Sequence, residues 1–123
     1  MAIRESGEDY LETILILHKK TGFVRSIDIA TELGYSKPSI SRAMGILKND
    51  GYIKVERSGQ IVLTESGKAK AEQVYGKHLM LKGFLRDILG VSEENSEQDA
   101  CRIEHILSEE TCLRLKEFID RNK

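Results

Sequence analysis

The stretch from Ser26 to Leu63 leaves this chain the least conformational freedom. Ser26 caps a short amphipathic run carrying Ile27, Ile29, Ala30 and Leu33, and Gly34 supplies the tight turn that ends it. Ser36 caps a second run, with Pro38 in its first turn, where a missing N–H costs nothing. Ile40, Ala43, Met44 and Leu47 form the buried stripe of that second helix and leave Pro38, Ser39, Arg42, Gly45 and Lys48 outward. Two short helices joined by a glycine-containing turn are the helix-turn-helix unit, whose second helix enters the major groove of DNA. After Asp50-Gly51 the period changes: Tyr52-Ile53-Lys54-Val55-Glu56 and Gln60-Ile61-Val62-Leu63 are β-prone runs around Arg57-Ser58-Gly59, a hairpin signal. Together these elements predict a winged helix whose basic tip brings Arg57 to phosphate or to the neighbouring minor groove. The competing reading is the same unit used only as a structural or protein-docking element.

Length limits what can accompany this unit. With 123 residues the chain buries one continuous core or two small ones sharing an interface, which argues against a multidomain enzyme. Lys and Arg number 19 against 20 Asp and Glu, so net charge does not mark a nucleic-acid binder and the DNA reading rests on the motif. No apolar run approaches the roughly 18 residues of a membrane helix, and Met-Ala-Ile-Arg-Glu lacks the apolar region of a signal peptide. A cytoplasmic location is expected. Cys101 and Cys112, on successive predicted helices, read as reduced thiols without a disulfide.

Before the winged helix, apolar residues from about Ser6 to Lys20 (Tyr10, Leu11, Ile14, Leu15, Leu17) recur at helical spacing. Asp9 and Glu12 share one edge of that helix, as ordinary first-turn acids or as something more specific. After the wing, Thr64 caps a long helix running to Gly90 that carries His78. Gly76 and Gly83, seven residues apart within it, each cost about 1 kcal/mol relative to Ala unless a close helix approach compensates. Ser92 opens an acidic turn, a helix follows from Ser96 to Leu107, and Ser108 caps a last helix with Glu109 and Glu110 at its start and Arg121 and Lys123 at its end. Cys112, Leu115 and Ile119 share one side of that helix, so Cys112 reads as a small core residue.

The most chemically pointed group lies in the helix before it. Cys101, Glu104 and His105 stand at i, i+3 and i+4, within reach of one ion if the segment is helical. A thiol, a carboxylate and an imidazole suit a first-row ion such as Fe(II), Co(II) or Zn(II), whereas Mg(II) and Ca(II) favour oxygen alone. A solvated polar face is the alternative.

Six ordered blocks resemble the diphtheria toxin repressor family of metal-dependent transcriptional repressors, which includes the manganese transport regulators. They are Glu8-Asp9-Tyr10-Leu11-Glu12-Thr13-Ile14, Ser36-Lys37-Pro38-Ser39-Ile40-Ser41-Arg42, Asn49-Asp50-Gly51-Tyr52, Leu63-Thr64-Glu65-Ser66-Gly67, Lys77-His78-Leu79 and Asp99-Ala100-Cys101-Arg102-Ile103-Glu104-His105-Ile106-Leu107-Ser108. The resemblance implies a mainly α fold: a winged helix-turn-helix DNA-binding domain over residues 1–64, then a helical metal-binding and dimerisation domain over 65–123. It implies Asp9, Glu12, His78, Cys101, Glu104 and His105 as metal ligands, and Ser36, Lys37, Pro38, Ser39, Ser41, Arg42 and Arg57 as DNA-binding residues. Asp9 and Glu12 follow the manganese branch, whereas Cys101 follows the iron branch, whose members carry methionine at the position of Asp9. Lys82 and Glu97 fall where the iron branch has an acid and a histidine serving an ancillary metal, and a protonated lysine cannot ligate. The chain matches the shorter members, without an SH3-like domain.

The expected function is a metal-activated repressor of metal-homeostasis genes. It is a homodimer on a pseudo-palindromic duplex operator, with Fe2+ or Mn2+ as cofactor, Co2+, Ni2+ or Zn2+ as substitutes, and no organic cofactor, membrane or catalysis. Two other functions compete with it: a winged-helix regulator sensing redox through Cys101, and a small metalloenzyme, against which the absence of a nucleophile or oxyanion motif counts.

Overall fold

The computed structural model describes residues 5–122; Lys123 and the first four residues lie outside it. Two compact units divide at Glu72 and Gln73. The first contains α1 (Glu5–Thr21), α2 (Ser26–Leu33), α3 (Lys37–Asn49), β1 (Ile53–Val55) and β2 (Ile61–Leu63). The boundary falls inside α4 (Glu65–Gly83), after which come a π-helical turn (Phe84–Ile88), α5 (Glu93–Ile103) and α6 (Glu109–Arg121).

In the first unit α2 packs on α3, α1 packs on α2 and β2, and α3 packs on β1. Leu11, Ile14, Ile29, Ile40, Ile53 and Ile61 are fully buried, one or two from each of these five elements. The stripe read for α3 holds: Ile40, Met44 and Leu47 are buried and Ala43 is half-buried. Ser36 Oγ accepts the Ser39 N–H at 3.3 Å, with Pro38 in the first turn. The hairpin pairs Ile53 with Leu63, Lys54 with Val62 and Val55 with Ile61, and the Ile61 N–H also reaches Val24 O at 2.7 Å, which ties the wing to the chain entering α2. Gly34 ends α2 at φ 71°, as its position requires.

Ser26 is not the cap of α2. Arg25 holds that place, and its N–H donates to Asp28 Oδ2 at 2.8 Å. Arg25 has the extended backbone of a cap residue, and Asp28 accepts its N–H as the reciprocal half of a capping box, so Ser26 already lies in the first turn.

At the base of the wing, backbones come close. Thr64 N donates to Tyr52 O at 3.0 Å, Thr64 Oγ1 donates to Gly51 O at 2.6 Å, and Gly67 N donates to Thr64 Oγ1 at 3.1 Å. Thr64 therefore caps α4 and fastens its start to the strand turn in one residue. The long helix does not run to Gly90 in α-helical form: the Leu89 N–H returns to Phe84 O at 3.1 Å, closing the wider turn that follows Gly83. Among the described residues, no atom of another element lies within 4 Å of where a Cβ on Gly76 would stand, so the close helix approach that would compensate this glycine is not made within the chain.

α5 begins and ends earlier than expected. Ser92 Oγ accepts the Asn95 N–H at 3.2 Å, which starts the helix at Glu93, and the tight Ile106 N–H to Ile103 O bond at 3.0 Å stops it there. Ser108 caps α6 as expected, accepting from Thr111 N at 3.1 Å. Cys112, Leu115 and Ile119 are half-buried on one side of α6, whereas Leu113 and Phe118 are exposed.

Candidate metal centre and nucleic-acid interface

The first turns of α3 present Ser36, Lys37, Pro38, Ser39, Ser41 and Arg42, all exposed, and Arg57 is exposed at the wing tip. Their exposure follows from the burial of Ile40, Met44 and Leu47, which turns the rest of the helix outward. Ser36 and Ser39 share a 2.9 Å hydroxyl bond, so both are partly committed to the cap. Lys37 and Arg42 are the long cationic side chains of this face, and Ser41 adds a further exposed hydroxyl.

In the second unit, α5 turns a stripe of small residues inward. Ser96 and Ala100 are fully buried, and Glu104, one turn further, is 1% exposed. His78 meets that stripe from α4. Its Nδ1 lies 2.9 Å from Glu104 Oε2, its Nε2 lies 3.0 Å from Glu97 Oε2, and Tyr75 stacks on the ring at 6.4 Å between centroids. Glu104 Oε1 lies 3.3 Å from His105 Nε2, without the geometry of a hydrogen bond. Cys101, about 100° around the helix from Ala100, is exposed. Of the trio read from the sequence, Glu104 is enclosed and lies beside His105, Cys101 stands at the exposed side of the same helix, and His78 joins Glu104 from α4.

The electrostatics follow from burial. The hydrogen bond that His78 donates to Glu104 is the largest influence on it; burial works against it, but with Glu97 adding to the pull the imidazole is pushed up to about 9. A carboxylate as enclosed as Glu104 needs compensating positive charge. The His78 imidazolium supplies it in this structure, and a divalent cation would supply it in the imidazolium's place. One carboxylate between two imidazoles is a donor set for Mn, Fe, Co or Zn, and a poor one for Ca.

Asp9 and Glu12 belong to the first unit, one turn apart on α1; Asp9 is half-buried and Glu12 is 8% exposed. Tyr10 between them meets Tyr35 edge-on at 6.2 Å, next to the cap of α3. Glu8 Oε2 pairs with Lys70 Nζ at 3.3 Å, fixing this turn of α1 to α4.

Glu97, which sequence reasoning sets aside, is in direct contact with His78, and its signal was its spacing: it precedes Glu104 by seven residues, two helical turns on the same side of α5. Lys82, one turn beyond His78 on α4, pairs with Glu97 Oε2 at 3.1 Å and with Glu93 Oε1 at 2.9 Å.

Two family models match the chain: the iron-dependent repressor N-terminal DNA-binding domain over residues 3–61, and the iron-dependent repressor metal-binding and dimerisation domain over residues 64–123. The transcriptional regulator MntR of Geobacillus kaustophilus is 36% identical over 93% of this chain and 80% of its own length. The iron-dependent repressor IdeR of Mycobacterium tuberculosis is 32% identical over 94% of this chain, which spans 50% of that protein. Among solved structures, the T. acidophilum IdeR matches with a TM-score of 0.82 at 27% identity, and the manganese regulator SloR with 0.82 at 25%. Each match covers 98% of this chain, which spans 55% of either structure.

Proposed function

The chain belongs to the iron-dependent repressor family, and from that premise we propose that it is a homodimeric repressor of metal-homeostasis genes, activated by Fe(II) or Mn(II), that acts in the cytoplasm without catalysis. Residues 1–64 would read DNA and residues 65–123 would bind metal and dimerise. The observation that carries this reading is the buried Glu104 carboxylate between the imidazoles of His78 and His105. Asp9 and Glu12, the acids that the family resemblance adds from α1, and Cys101, the one soft donor, complete the proposed ligand set. Among the described residues no helix is long and apolar enough to cross a membrane.

For dimerisation the support is an apolar groove of about 750 Å³ within the second unit, lined by Leu79, Met80, Phe84, Leu113 and Ile119 beside Gly76. Leu79 and Leu113 are each more than half exposed, and such a surface is stabilised by a matching one. A dimer then presents two α3 helices to half-sites about one duplex turn apart. Metal acts as a ligand with higher affinity for the binding-competent arrangement, so operator DNA raises metal affinity by the same factor.

On the DNA side, Arg42→Ala should relax sequence preference and cost roughly 1–3 kcal/mol, as loss of a bidentate base contact does. Arg57→Ala should weaken binding to all duplexes alike and lower the salt slope by about one. Fluorescence anisotropy on matched and mismatched duplexes over a salt series separates the two, and unchanged affinity in both variants removes the winged helix as the reader.

Coupling is tested at Glu12. Glu12→Gln should leave a folded dimer that binds DNA at its metal-free level whether or not Mn(II) is added. A metal-induced gain equal to the parent's would take α1 out of the switch. The exposure of Cys101 supports a second reading, a thiol that reports oxidation. Thiol titration distinguishes the two, since a ligand thiol is protected by metal and a sensor thiol is not.

A further inference from the structure

Around His78 the second unit holds a charged array with one unusual feature: a single oxygen serves two side chains of α4. Glu97 Oε2 lies 3.0 Å from His78 Nε2 and 3.1 Å from Lys82 Nζ. Lys82 in turn reaches Glu93 Oε1 at 2.9 Å, and Arg86 Nη1 holds Glu93 Oε2 at 3.1 Å. Two cations of α4 and the turn after it thus clamp two carboxylates from the first turns of α5. Burial would raise the Glu97 carboxyl, yet Lys82 and His78 together outweigh it and hold Glu97 below its ordinary range, as a carboxylate.

From this geometry we propose that Glu97 is a positioning residue for the metal: held by Lys82, it accepts the Nε2–H of His78 and so leaves Nδ1, the nitrogen facing buried Glu104, as the ligating atom. The inference rests on the reading of His78 as a metal ligand.

An imidazole that binds a metal gives up the proton on the ligating nitrogen and keeps the one on the other. The partner of that second nitrogen fixes the tautomer and the ring orientation and raises the basicity of the ligand. Of the two carboxylates on His78, Glu104 is enclosed and Glu97 is 51% exposed at its side chain. When His78 gives up its Nδ1 proton, enclosed Glu104 loses the charge that compensates it, so the metal belongs on its side of the ring. The exposed one already has Lys82 as its cation. The ammonium also fixes one positive charge among Glu93 and Glu97, and a second divalent ion placed there would have to overcome its repulsion.

The test is an anaerobic Co(II) titration of the full chain, followed by d–d absorption, with ring nitrogen shifts of His78 read by NMR on the Zn(II)-loaded protein. Glu97→Gln should weaken Co(II) binding about 10- to 100-fold, the usual cost of losing such a partner. Lys82→Met should weaken it less, and adding Lys82→Met to Glu97→Gln should cost little more, because Lys82 acts through Glu97. In the parent the NMR shifts should place the proton on Nε2 and the metal on Nδ1. Both side chains are at least partly exposed, so the variants should keep the parent's circular dichroism; should Glu97→Gln fail to fold, Glu97→Asp, which keeps the charge, replaces it and should bind Co(II) more weakly than the parent. His78→Ala separates the two ways of failing. If it removes Co(II) binding while the Glu97 variant binds like the parent, or if the proton is on Nδ1, the role of Glu97 is wrong and His78 remains a ligand. If His78→Ala binds Co(II) like the parent, the ligand reading itself fails.

Discussion

Glu104→Gln should abolish metal activation and should weaken metal binding by more than the ~10- to 100-fold that loss of an outer partner costs. Glu104 is the carboxylate shared by His78 and His105, and it is the most enclosed acid among the described residues. An amide of the same size keeps the packing and the hydrogen bond to one imidazole but removes the charge that a divalent ion needs. The variant also has a signature in the metal-free protein. Glu104 is the chief reason that His78 is pushed from 6.5 up to about 9, and a histidine with a raised value contributes stability that is complete below 6.5 and is lost as pH rises through about 9. Thermal unfolding of the metal-free parent should therefore move to lower temperature between pH 6.5 and 9, and Glu104→Gln should flatten that decline. A variant that keeps both the metal response and the pH dependence would place the charge balance of the site elsewhere.

Gly67→Ala should destabilise the protein by about 3 kcal/mol or more, the upper range for forced overpacking. The reason is space, since Gly67 has an ordinary helical backbone. A Cβ there would stand 2.9 Å from the Tyr52 carbonyl carbon and still closer to its oxygen, which accepts the Thr64 N–H. Backbone cannot swing aside as a side chain can, so relief requires breaking the bonds that join Gly51, Tyr52 and Thr64. Gly76→Ala is the control: among the described residues nothing from another element lies within 4 Å of that position, and replacing a helix-interior glycine should stabilise the isolated subunit by up to ~1 kcal/mol. Urea unfolding of the metal-free protein measures both. Equal midpoints for Gly67→Ala and the parent would contradict the close approach.

The two glycines also show what the sequence can carry. Leu63-Thr64-Glu65-Ser66-Gly67 marks a helix start by its cap, and Thr64 fills that role, but nothing in a linear pattern says that Gly67 lies against Tyr52. Winged-helix elements were legible because their signals are local: period, cap and turn chemistry fix α2, α3 and the hairpin. The cap of α2 falls one residue earlier than its serine suggests, because Arg25 takes the extended cap backbone and Asp28 accepts its N–H. The start of α5 is ambiguous in the sequence because serine is a capping residue type at both 92 and 96, and only the fold makes Ser92 the cap and buries Ser96. At the candidate metal centre, spacing treats Cys101, Glu104 and His105 alike, and only the fold shows that Glu104 lies on the inward stripe with Ser96 and Ala100 while Cys101 is exposed. Glu97 needed the fold, because its partner His78 is nineteen residues away on another helix.

The central claim is that metal and DNA binding are one coupled equilibrium, and the most direct measurement is of the coupling itself. A duplex selected from a random pool with the Mn(II)-loaded protein is titrated with protein in the presence of Mn(II) and of a chelator, and Mn(II) is titrated into protein with and without that duplex. The two ratios should agree, each well above one and typically 5- to 150-fold, as reciprocity requires. Equal operator affinity with metal and with chelator, or a selected duplex that leaves metal affinity unchanged, would contradict the account.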